Sequence, residues 1–76
     1  MFEVVNVFLA DEKVLKSKIR EKKIKDTCPD AEVRFANNTG RYYICLGEYQ
    51  TLDLAQRKAK EFRKKGIIAG IRNDEK

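Results

Sequence analysis

The chain has 76 residues, of which 42% are hydrophobic and 38% charged, with a formal net charge of +5. That length supports one small hydrophobic core and excludes a second. There is no histidine and there are two cysteines, so nothing is spaced to hold zinc and no histidine can activate a thiol; no metal, no cofactor and no catalytic constellation is expected, and the reading is a binding protein rather than an enzyme.

The basic balance makes polyanions such as nucleic acid or anionic cell-surface polymers plausible partners. The longest apolar run, Val4-Val5 and Val7 to Ala10 interrupted by Asn6, is too short to span a membrane and has no basic segment before it to make a signal peptide. Work outside the cytoplasm would therefore require an anchor or signal in a longer parent chain.

In chain order, Phe2 to Leu9 reads as a central strand, with Val5, Val7 and Leu9 on one side and Val4, Asn6 and Phe8 on the other. Asp11 is a helix cap, and Val14, Leu15, Ile19 and Ile24 give an apolar stripe that predicts one helix over residues 11–24. The Cys28-Pro29-Asp30 region breaks it. Ala31 to Ala36 alternates apolar and charged residues as an edge strand does, and Asn37-Asn38-Thr39-Gly40 forms the turn of a hairpin.

The returning arm, Arg41 to Tyr49, has Tyr42, Ile44 and Leu46 on a packing face and Arg41, Tyr43 and Cys45 on the opposite one. Thr51 caps a second helix with Leu52, Ala55, Ala59 and Phe62 on one stripe, which Lys64-Lys65-Gly66 ends. Ile67 to Ile71 makes the last strand, and a polar tail follows, so the domain is placed at residues 1–72 and the tail at 73–76.

The order β-α-β-β-α-β with right-handed crossovers is an α+β, ferredoxin-like arrangement: a four-stranded antiparallel sheet with two helices on one face. The open face is expected to carry Asn6, Arg34, Arg41, Tyr43 and Cys45. Tyr43 there has two readings, an aromatic that simply covers the sheet or a stacking platform beside Arg34, Arg41 and Asn6, suited to sugars or bases. A ferredoxin-like RNA-binding domain would carry more aromatics on its middle strands, in an order that Gly40 to Leu46 lacks. The lysines and arginines of both helices read as solvated surface. Pairing of Ala36 with Arg41 sets Cys28 roughly 13 Å from Cys45 at strand rise, beyond the reach of about 7 Å for a disulfide, so two free thiols are expected.

From Gly40 onward the chain resembles the SPOR domain, a peptidoglycan-binding family of bacterial envelope proteins. The likeness rests on an aromatic-rich strand, Leu46-Gly47-Glu48-Tyr49, a helix with spaced alanines, Lys64-Lys65-Gly66 and a closing strand. Upstream, Val5-Asn6-Val7-Phe8-Leu9-Ala10 keeps an amide but lacks the family's glycine and serine. The resemblance implies the ferredoxin-like fold and a non-catalytic module in the periplasm or cell envelope; apart from it, a monomer is expected. The resemblance further implies binding to glycan strands denuded of stem peptides at division septa, with Asn6, Arg41, Tyr43 and Ile71 as carried-over contacts beside Arg34. The alternatives left open are RNA binding and a protein-interaction module, in the cytoplasm.

Overall fold

The computed structural model describes residues 1–6 and 10–73. It contains strands β1 (Phe2–Asn6), β2 (Glu32–Ala36), β3 (Arg41–Tyr49) and β4 (Gly70–Asn73), and helices α1 (Glu12–Lys18), α2 (Lys22–Thr27) and α3 (Leu52–Lys64). The sheet is antiparallel, in the order β2-β3-β1-β4. This is the α+β, ferredoxin-like arrangement that the element order predicts, and it puts β1 and β3 in the middle.

The expected first helix is two successive helices, α1 and α2. On one continuous helix, Ile24 would lie nine positions past Leu15, about half a turn round the axis, and would face water. Tight bonds from Arg20 N to Ser17 O and from Glu21 N to Lys18 O, each 3.1 Å, close α1. The chain then restarts as α2, so that Leu15 and Ile24 are both buried in the same core. Asp11 caps α1 by accepting from Val14 N at 2.9 Å, and Thr51 caps α3 by accepting from Leu54 N at 3.2 Å.

Along α3, Ala55, Ala59 and Phe62 are buried, whereas Leu52, in the first turn, is exposed. The helix ends in a Schellman closure: Ile67 N donates to Phe62 O and Gly66 N to Arg63 O, both at 3.0 Å, with Gly66 at φ 82°. That closure explains why the last strand begins later than expected. Ile67 is spent on the helix end, and the Ala69 carbonyl accepts from Arg63 Nε at 2.9 Å, so ladder pairing starts only at Gly70 and extends through Arg72 and Asn73. Asn73, placed in the polar tail from the sequence, belongs to the sheet, where it pairs with Phe2.

The hairpin pairs Ala36 with Arg41, as expected. Between β1 and β3 the register shifts: Val4 lies opposite Gly47 and Val5 opposite Cys45, which leaves Leu46 as the extra residue of a bulge. The bulge lets Leu46 join the core with Val4, Ile44, Phe62 and Ile67. Gly47 is not at positive φ. Its requirement is space, because a Cβ built there would stand 2.7 Å from Tyr49 Oη and 3.1 Å from Cζ.

Gly47→Ala is therefore expected to lower stability by about 1–2 kcal/mol in urea denaturation. In a Tyr49→Ala background the same change should cost far less, since the ring it meets is gone. Equal costs in the two backgrounds would show that the tyrosine is not the obstacle.

Candidate binding face on the sheet

Strand alternation and the register assign the face away from the helices. It carries Glu3 and Val5 from β1, Glu32 and Arg34 from β2, Tyr43, Cys45 and Glu48 from β3, and Arg72 from β4. At its centre is Glu3, whose side chain is fully buried although it is charged. An isolated buried carboxylate is costly, and its partners explain why this one persists.

Arg34 reaches over β3 and donates from Nη1 to Glu3 Oε1 at 2.8 Å. Arg72 donates from Nη1 to Glu3 Oε2 at 3.0 Å. The Tyr43 hydroxyl lies 2.8 Å and 3.1 Å from the two carboxylate oxygens and accepts from Arg72 Nη1 at 3.0 Å. Around this centre Arg34 also donates from Nε to Glu32 at 2.7 Å and from Nη2 to Glu48 at 2.6 Å. Arg72 Nη2 donates to Asn38 Oδ1 at 3.3 Å, which ties the hairpin turn to β4. The Arg72 guanidinium also stands over the Tyr43 ring, 4.9 Å from its centroid.

Two guanidinium groups thus meet three carboxylates, and the cluster carries about one net negative charge. Burial pushes the Glu3 carboxyl up, but hydrogen bonds from Tyr43, Cys45, Arg34 and Arg72 outweigh it and hold the group below its ordinary value. The Glu48 carboxylate, ahead of the opposing effect of burial, raises the Arg34 pKa further. Tyr43 is pushed up to about 12 by burial and by its bond to Glu3. Cys45 is also pushed up to about 12, mainly by burial, so its thiol is neutral near pH 7. Both cysteines are free and buried. Among the described residues no group of three or more His, Cys, Asp or Glu side chains is placed to hold a metal ion.

Beyond Arg34 the face runs into a groove of about 640 Å³, where β3 continues past the start of β2; its lining includes Glu32, Arg34, Cys45, Glu48, Tyr49 and Lys58.

Of the residues expected at the site, Arg34 and Tyr43 meet in the cluster. Arg41 lies farther along the same face, exposed, with no ion pair or hydrogen-bond partner for its side chain among the described residues. Asn6 does not belong to this face. It pairs with Ile44, alternates with Val5, and is buried on the helix side, where it lines a small crevice with Ile24 and Ile67. Ile71 is likewise on the helix side, paired with Val4 and packed on the core. Phe8, expected beside Asn6, lies outside the described residues.

The residues that pattern reading missed are Glu3 and Arg72, with Glu32 and Glu48 beside them. The signal was in β1, where the choice of face lay between Glu3 with Val5 and Val4 with Asn6. A carboxylate is far costlier than an amide to bury in an apolar core, which puts Glu3 on the open face and Asn6 among the apolar side chains.

The depressed Glu3 pKa fixes a pH dependence. Its contribution to stability is fully present above the ordinary value of 4.5 and is lost as pH falls below it through the folded-state value. Glu3→Gln is expected to cost about 2 kcal/mol near pH 7, after allowance for the partial exposure of both arginines. The difference in Tm between the two proteins should shrink below about pH 4. A difference that stays constant across that range would remove Glu3 as the titrating group.

Comparison with protein-family models, with curated proteins and with solved structures gives no match to this chain.

Proposed function

We propose that the chain is a non-catalytic module whose open sheet face and adjoining groove bind peptidoglycan glycan strands, those denuded of stem peptides at division septa in the bacterial envelope. The ligand class comes from the resemblance of residues 40–71 to SPOR domains. The observation that carries it is the cluster itself: hydrogen-bonding groups of both kinds, held in place by one another on a face whose charges nearly cancel.

A sugar polymer offers hydroxyl and amide groups that both donate and accept. The exposed oxygens of Glu32 and Glu48 suit hydroxyl donors, and the guanidinium edges of Arg34 and Arg72 suit carbonyl and hydroxyl acceptors. Arg41, exposed and without a side-chain partner among the described residues, is the group for the lactyl carboxylate that peptide removal uncovers. One side of the Tyr43 ring is taken by Arg72, so its role here is to hold Glu3 and Arg72 in place rather than to stack a sugar by itself. Against an RNA on this face stands its charge balance: Glu3, Glu32 and Glu48 offset Arg34, Arg72 and Arg41, which leaves no basic stripe to follow a phosphate backbone.

The test is sedimentation with purified sacculi before and after amidase treatment. Binding should rise with treatment and fall by about tenfold in Arg41→Ala, the loss of one charge-assisted bond. Absence of sacculus binding, or binding that amidase leaves unchanged together with an unaffected Arg41→Ala, contradicts the proposal.

A further inference from the structure

The two layers of the domain differ sharply in charge. Residues 11–27 and 51–66, which hold α1, α2 and α3, contain thirteen of the seventeen basic residues and six of the twelve acidic ones, a net of +7. The rest of the chain nets −2. All but one of those thirteen cations are exposed. Among the described residues, Lys16 pairs with Glu12, Arg57 with Asp53 and Lys58 with Glu61, each between exposed neighbours on one helix, contacts that solvent and salt weaken.

The same layer exposes aliphatic side chains. Val14, Leu52 and Leu54 are each 44–46% exposed, and Ile68, in the link after α3, is 61% exposed. Leu54 borders a shallow depression of about 410 Å³ whose other lining includes Arg57, Lys58, Lys60 and Lys64. The sole aromatic of the three helices, Phe62, is buried in the core, so the helices themselves offer no ring on which a nucleic-acid base could stack; the exposed Phe35 on that side of the sheet belongs to β2 and packs edge-on against Tyr42. Cations on long aliphatic stems around exposed leucine match the boundary between lipid headgroups and acyl chains. Among the described residues no helix is long and apolar enough to cross a membrane.

We infer that the helical layer docks on an anionic phospholipid surface, with Arg57, Lys60 and Lys64 at the headgroups and Leu54 reaching the acyl boundary. This contact is on the far side of the sheet from the Glu3 cluster. It stands on the charge and exposure of the helices and is independent of the glycan reading. Attraction of this kind adds up over the cations within a Debye length and is screened by salt.

The experiment is co-sedimentation of the full chain with phosphatidylcholine vesicles that do or do not contain about one third phosphatidylglycerol, at low and at high salt. Binding is expected only with the anionic lipid, and should fall by more than about tenfold between about 0.03 M and 0.5 M salt. The triple variant Arg57→Glu, Lys60→Glu, Lys64→Glu, on exposed positions and checked by circular dichroism, should lose it. Leu54→Ser should weaken it by about threefold, through the lost apolar contact. Four results overturn the inference: no binding at low salt, equal binding to neutral vesicles, undiminished binding by the triple variant, or tighter binding to single-stranded RNA than to the anionic vesicles with Leu54→Ser without effect on either. Loss of vesicle binding would leave sacculus binding untouched, and the converse holds for Arg41→Ala.

Discussion

A single buried carboxylate sets the character of this domain's open face. Glu3 sits on a central strand with its side chain wholly out of water, and the structure tolerates it because Arg34, Arg72 and Tyr43 converge on it from the other three strands. Each of those partners is fixed in turn. Arg34 is held by Glu32 and Glu48, and Arg72 by Tyr43 and Asn38. The network therefore ties all four strands and the hairpin turn together. Such a network adds little net stability over an apolar surface, but breaking one member leaves a charge stranded. Its consequence is a fixed pattern of donors and acceptors where a bare sheet would have presented a mobile set of side chains.

The two faces of the sheet are specialised by the same alternation. On one side Val4, Ile44 and Leu46 meet Leu15, Ile24 and Phe62 to form the core. On the other, the polar cluster covers Val5 and Cys45, both buried without belonging to that core. The bulge at Leu46 is where the two requirements are reconciled. It admits one more apolar residue to the core while Glu48, two positions on, stays in register with Glu3.

Much of the architecture was legible in the sequence. Caps at Asp11 and Thr51, the hairpin turn ending in Gly40, and the small-residue stripe of Ala55 and Ala59 each have a local cause that needs no knowledge of the rest of the fold. The failures are equally physical. The break between α1 and α2 has no glycine or proline to announce it; it follows from where Ile24 must point. The start of β4 is set by the way α3 closes on Ile67. At the site, Arg34 and Tyr43 were readable from alternation within one hairpin. Asn6 and Ile71 were misplaced because strands with apolar residues on both faces give alternation no preferred phase. There the cost of burying Glu3 and Arg72 among apolar side chains decides the facing, and those two residues meet at the centre of the polar cluster.

A nearly neutral sheet face thus stands opposite a strongly basic helical layer. The order of the sheet face depends on the ionised state of Glu3. The most direct measurement is a carbon-13 NMR titration of its side-chain carboxyl in the folded protein. The account predicts a midpoint clearly below the ordinary value of 4.5; a midpoint at or above it would mean that burial outweighs the arginines and the tyrosine, and the cluster would not be the fixed ionic centre described here.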